Sequence, residues 1–182
     1  MAEHHAILTV GSTRFDSLVT SFLSPTALAI LSSLGIKTAL AQIGASELPT
    51  GWTEGVNAIP HGVRVEIIRF ASDLEDRVGQ AELVVSHAGA GSILSFIRPT
   101  IPSSAPQRRL VLVPNSTLMD SHQADLADEF GSKGWGTVCE NPEALSATLS
   151  SLGKPSSASA ASYPAYSAKK VSLILDSTLG YS

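Results

Sequence analysis

Leu83-Val84-Val85 is a short apolar run, and it passes through Ser86-His87-Ala88-Gly89-Ala90-Gly91-Ser92 into Ile93-Leu94-Ser95-Phe96-Ile97. The run is too short for a helix and suits a strand buried on both faces, whereas the segment after the glycines can continue as a helix. A strand that enters a helix through glycines presents free backbone N–H groups at a positive dipole end, which is a seat for phosphate. A second junction of this kind follows the apolar run 110–113, through Pro114-Asn115-Ser116-Thr117-Leu118-Met119-Asp120-Ser121-His122-Gln123. Two polar strand-to-helix turns in one small domain point to a nucleotide ligand.

Strand and helix patterns alternate along the chain. Strands are predicted at 6–10, 37–42, 63–68, 83–85, 110–113 and 136–139. Helical turns are predicted over 15–34, broken near Ser24-Pro25, and at 73–78, 91–97 and 120–133. Asn141-Pro142-Glu143 starts one more, with Asn as cap and Pro in the first turn. This order predicts an α/β fold, a doubly wound, Rossmann-like parallel sheet covered on both faces. Residues 1–153 are expected to form the Rossmann-like, nucleotide-binding body; 154–162 are a Ser/Ala-rich linker, and 163–182 are expected to close the chain as an amphipathic helix. That helix either packs back on its own domain or meets a partner.

Charge and cysteine content exclude several functions. The net charge of −4 argues against a nucleic-acid binder, which would show a basic face. A lone cysteine, Cys139, rules out an internal disulfide and fits a reducing compartment. The histidines are scattered, so no metal is expected. No apolar run approaches the ~20 residues that cross a bilayer, and the N-terminal apolar run is too short for a signal peptide. The chain is expected to be cytoplasmic.

In a doubly wound sheet, ligands sit beyond the carboxyl ends of the strands, near the switch in strand order. Three loops fall there: Gly11-Ser12-Thr13, Ser86 to Ser92, and Pro114 to Gln123. Gly89 and Gly91 let backbone approach a ligand without Cβ interference, with Ala90 between them and the Ser92 hydroxyl at the helix start. His87 can donate to a phosphate or work as acid or base; otherwise it shapes its loop. Asp120 and Gln123 have capping-box spacing, which leaves His122, on the first helical turn, for sugar hydroxyls or phosphates. Asn115, Ser116 and Met119 flank that turn; Asn115 and Ser116 either bind ligand atoms or close a turn. Ser12 and Thr13 either cap the first helix or face the ligand. The dinucleotide fingerprint fails, because its third glycine would fall at Leu94, and this speaks against an oxidoreductase. No nucleophile elbow supports a hydrolase.

Three blocks resemble glycosyltransferase family 28. They are Val10-Gly11-Ser12-Thr13-x-Phe15-Asp16; Ser86-His87-Ala88-Gly89-Ala90-Gly91-Ser92; and Val113-Pro114-Asn115-x-x-Leu118-Met119-Asp120-x-His122-Gln123-x-x-Leu126-Ala127. Within the family they are similar to the soluble catalytic subunits of the eukaryotic UDP-N-acetylglucosamine transferase of the dolichol pathway. The resemblance implies the C-terminal, donor-binding half of a GT-B enzyme, its other half supplied by a membrane-anchored, acceptor-binding subunit. It implies inverting transfer of GlcNAc from UDP-GlcNAc to dolichyl-diphosphate-GlcNAc, at the cytosolic face of the endoplasmic reticulum, without a metal. His122 and Gln123 would then meet the sugar or diphosphate, Asn115 and Ser116 would line the same pocket, and the acceptor's base would come from the partner.

Two departures from the family pattern stand out. Ser95 occupies the position where bacterial relatives carry a ribose-binding glutamate, which leaves open a non-catalytic nucleotide-sugar-binding or regulatory module. A Pro-rich loop, 98–109, ending in Arg108-Arg109, replaces a short Gly-Lys-Pro turn and reads as solvated surface, though it could instead reach phosphates or a partner.

Overall fold

The computed structural model of the protein describes residues 5–57, 60–101, 107–115 and 122–153. Among them, strands β1 (His5–Thr9), β2 (Thr38–Gln42), β3 (Gly55–Val56), β4 (Arg64–Ile68), β5 (Leu83–Ser86), β6 (Arg109–Leu112) and β7 (Thr137–Val138) form one sheet. Its order is β3-β4-β2-β1-β5-β6-β7, and every adjacent pair is parallel except β3 with β4. The chain builds outward from β1 through β2 to β4, then returns to β1's other side and builds outward again through β5, β6 and β7. The switch point therefore lies between β1 and β5, where Thr9 stands opposite Ser86.

Helices cover both faces. On one face α1 (Asp16–Phe22), α2 (Pro25–Ser33) and α6 (Leu145–Leu152) bury Leu18, Val19, Phe22, Leu28, Leu31, Leu145 and Leu149 against Leu8, Val85 and Val111. On the other, α3 (Leu74–Gln80), α4 (Ala90–Ile97) and α5 (His122–Ser132) bury Val78, Ile93, Phe96, Ala127 and Phe130 against Ile7, Val84 and Leu112. Each of these side chains larger than alanine contributes about 1.5–3 kcal/mol through burial, so helix placement is decided by these stripes rather than by propensity. The break between α1 and α2 falls where expected: Pro25 opens α2, and the Ser24 hydroxyl accepts the Ala27 N–H at 3.2 Å. Asn141 caps the turn at Pro142–Ala144 through a 2.9 Å bond from Ala144 N–H, and α6 begins after that turn.

The structure differs from the sequence-based expectation at two places. β3 is an antiparallel edge strand inside a segment whose Gly, Pro and Asn content reads as irregular; Val56 pairs with Glu66. Arg108 is not solvated surface. Its half-buried guanidinium donates to the carbonyls of Phe96 (2.6 Å), Ala81 (3.0 Å) and Val78 (3.0 Å), and it stacks 4.0 Å from the Phe96 ring centroid. One cation thereby ties together carbonyls at the C-terminal ends of α3 and α4, where positive charge is favoured. Arg109 belongs to β6. The linker and closing helix expected over 154–182 lie outside the described residues.

Candidate functional site

β1 and β5 are parallel neighbours, so the loops that follow them emerge side by side at the carboxyl edge of the sheet. The loop after β1 turns at Gly11, whose φ of +64° favours a residue without a Cβ. The loop after β5 turns at Ala88, also at φ +64°, a conformation that costs an alanine about 1 kcal/mol. That strained turn carries His87 back under Gly89.

The His87 ring is wedged between the two loops. It is 7% exposed, its backbone N–H donates to the Thr9 carbonyl at 3.2 Å, and its Nδ1 lies 3.2 Å from the same oxygen. A carbonyl partner requires the proton on Nδ1, which leaves Nε2 with a free lone pair. Burial pushes the His87 pKa below its ordinary value, opposed by the Thr9 carbonyl, so the ring is neutral at pH 7.

Glycines 89 and 91 do different work. A Cβ on Gly89 would sit 2.4 Å from His87 Nε2, so Gly89 is required by the ring beneath it. A Cβ on Gly91 would meet nothing within 4 Å. Gly89 holds the cap position of α4 and has no side chain to offer the first turn, so the N–H groups of Ala90, Gly91 and Ser92 have no intrahelical acceptor. An uncapped helix start opening onto free space beside a histidine can take an anion.

The remaining expected residues divide. Ser12 is exposed on the β1 loop. The Thr13 hydroxyl donates to the Val10 carbonyl at 2.7 Å and so closes its own turn. Neither caps α1; the Phe15 N–H is taken by the Ser46 hydroxyl at 2.8 Å, from the loop after β2. Asn115 is 3% exposed, and its Nδ2 donates to the Arg14 carbonyl at 3.3 Å, which ties the loop after β6 to the loop after β1. The Gln123 Oε1 accepts the Asn115 N–H at 3.2 Å, so Gln123 braces the same loop. His122 opens α5. Ser116, Met119, Asp120 and the side chain of His122 lie outside the described residues. The Ser95 hydroxyl donates to the Gly91 carbonyl at 2.9 Å and is thus engaged within α4.

Beneath the loops lies a polar row absent from the sequence-based site: Gln42, Thr9 and Ser86, aligned across β2, β1 and β5. All three are essentially inaccessible to solvent. The signal in the sequence is a polar residue ending an apolar strand, since strands buried on both faces otherwise read as continuous apolar runs. Gln42 holds the β1 loop from below, with Gly11 N–H on Oε1 at 3.0 Å and Nε2 on the Gly11 carbonyl at 2.7 Å. Gly44 forms the floor of that loop, at φ +52°, where an added Cβ would lie 2.5 Å from the Gly11 carbonyl. Among the described residues no group of His, Cys, Asp or Glu could hold a metal ion, and no helix is long and apolar enough to cross a membrane.

Comparison with known proteins agrees with this architecture. A solution structure of ALG13 covers 99% of this chain and 98% of its own, with a TM-score of 0.61 at 21% identity. MurG from Acinetobacter baumannii matches 85% of this chain and 42% of its own, with a TM-score of 0.51 at 17% identity. In sequence, the UDP-N-acetylglucosamine transferase subunit ALG13 of Cryptococcus neoformans is 36% identical over 155 residues, 72% of this chain and 75% of the relative. The human protein of the same name is 32% identical over 133 residues, 72% of this chain but 11% of the relative. The family model for the glycosyltransferase family 28 C-terminal domain matches residues 5–177, and the chain belongs to that family.

Proposed function

We propose that this protein is the donor-binding catalytic subunit of a two-subunit inverting glycosyltransferase. It moves GlcNAc from UDP-GlcNAc to dolichyl-diphosphate-GlcNAc, forming chitobiosyl-diphosphodolichol. The observation that carries the reading is the start of α4: an uncapped first turn with clear space over Gly91. The names of its relatives, UDP-N-acetylglucosamine transferase subunits, supply the donor and the expectation of a partner.

In this reading the donor diphosphate rests on the N–H groups of Ala90, Gly91 and Ser92. The acceptor hydroxyl attacks the anomeric carbon from the opposite face, the bond to the β-phosphate oxygen breaks, and UDP leaves with its negative charge. Fixed donors aimed at such charge stabilise a transition state by about 3 kcal/mol each, and they act without a metal. His87 Nε2, an acceptor in this tautomer, lies at the gap between Gly11 and Gly89, where it suits a hydroxyl of the donor rather than a phosphate oxygen. Gly11, Ser12 and Thr13 bound the pocket on one side and Asn115, braced by Gln123, on the other; Ser116, Met119, Asp120 and His122 are assigned to the donor on the family resemblance alone. The membrane-anchored partner binds the lipid acceptor at the cytosolic face of the endoplasmic reticulum, and the proton of the attacking hydroxyl passes to a base on that partner.

Thermal-shift titration with UDP-GlcNAc tests the donor site, and transfer by the protein reconstituted with its partner tests catalysis. Stabilisation by the nucleotide sugar together with transfer supports the proposal. Stabilisation without transfer turns the assignment to a non-catalytic nucleotide-sugar module, a reading favoured by the engaged Ser95 hydroxyl.

A further inference from the structure

We propose that Thr9, acting directly and through Gln42, is a positioning residue that sets the height of the Gly11 loop over the donor site. This rests on the donor-site reading given above. Thr9 ends β1, a buried central strand in which valine would pack as well, so its hydroxyl must be accounted for by its partners. Thr9 Oγ1 donates to Gln42 Oε1 at 2.8 Å and accepts the Gly11 N–H at 3.3 Å, and Ser92 Oγ, in the first turn of α4, lies 3.5 Å away. The hydroxyl therefore stands between the loop after β1 and the helix start after β5.

Gln42 is what makes the hydroxyl consequential. Its Oε1 accepts from Thr9 Oγ1 and from Gly11 N–H; its Nε2 donates to the Gly11 and Arg69 carbonyls, each at 2.7 Å. Every donor and both acceptor positions of the carboxamide are occupied. A flipped amide would set oxygen against two carbonyls, so only one orientation is allowed, and both the N–H and the C=O of Gly11 are held by it. Arg69 extends the brace by donating to the carbonyls of Gly44 and Ser46 at 3.1 and 3.0 Å. Gly11 in turn lies against His87, where an added Cβ would be 3.0 Å from Cε1. Removing the Thr9 hydroxyl leaves one side of the carboxamide loose and lets the Gly11 peptide drift over the ring.

The test uses the transferase reconstituted with its partner, carrying Thr9→Val, Thr9→Ser, Gln42→Met, or Thr9→Val with Gln42→Met. A loop that grips the donor equally in ground and transition states changes KM alone. Thr9→Val should raise KM for UDP-GlcNAc about tenfold, the equivalent of one lost hydrogen bond, with kcat within about twofold. Thr9→Ser should recover to within about threefold of the unaltered enzyme, and Thr9→Val with Gln42→Met should cost less than the sum of the two single changes, since both side chains hold the Gly11 N–H. Three results overturn the inference alone: Thr9→Val lowering kcat at unchanged KM, as a loss of folded protein would; Thr9→Ser failing as badly as Thr9→Val; or full additivity in the double variant. An unaltered protein that neither binds UDP-GlcNAc nor transfers from it overturns the donor-site reading, and the inference with it.

Discussion

The glycine loop after β5 packs two opposite requirements into three residues. Gly89 makes room for a ring inside the protein, and Gly91 leaves room outside it. Their substitutions should therefore fail differently. Gly91→Val should fold normally, within about 0.5 kcal/mol of the parent, while losing most of its affinity for UDP-GlcNAc. Gly89→Ala should displace His87 and cost about 1–3 kcal/mol of stability. Paired thermal melts and UDP-GlcNAc titrations separate the two, and equal destabilisation by both would contradict the division of roles. His87 also makes stability depend on pH. Its folded-state pKa is lowered from 6.5, so between the two values the unfolded chain binds more protons and stability rises with pH. His87's contribution is fully present above about pH 6.5 and is lost as pH falls through the folded value. Melts from pH 7.5 down to 5 should show this decline, and His87→Gln should flatten that part of it.

At the level of elements, the apolar runs 83–85 and 110–113 and the break at Ser24-Pro25 carried enough information to place strands and helices within a residue or two. Parallel connections then bring the loops after β1, β5 and β6 to one edge, whereas the order of the strands is given by the structure. What stayed hidden depends on pairs far apart in the chain. β3 is two residues long and is defined only by its partners Glu66 and Ile67. The cap on Phe15 comes from Ser46, and no local pattern reports it. The polar ends of β1, β2 and β5 are visible as isolated residues, but their alignment appears only once the register is known. Arg108 belongs to the same class, since three carbonyls from two helices surround it. Arg108→Ala should lower stability by about 2 kcal/mol, less than the sum of three charged hydrogen bonds because the guanidinium is half exposed. Chemical denaturation with unchanged UDP-GlcNAc affinity of the folded protein is the expected result. A loss of affinity without a loss of stability would instead place Arg108 in the donor site.

The described residues build one sheet covered by helices, and the candidate donor site is built from the loops on both sides of the switch point. A groove of about 450 Å³ lined by His5, Thr38, Leu40, Arg64, Glu66 and Arg77 lies at the other end of the strands, so volume does not mark the site. If the two-subunit reading holds, the isolated chain should bind UDP-GlcNAc yet transfer GlcNAc only after its partner is added, as a radiolabelled transfer assay would register. Transfer by the chain alone would require a base within it. Deleting residues 171–182, whose apolar spacing is helical, should weaken co-purification with the partner. Unchanged recovery would assign that segment to its own domain.

The floor beneath the β1 loop has a consequence for anyone screening inactive variants. Main-chain oxygens of Gly11 and Thr13 fill the room a side chain at position 44 would need. Replacements there would abolish sugar-nucleotide capture from outside the pocket, and a catalogue of damaging changes would mark this buried position as though it belonged to the reactive surface.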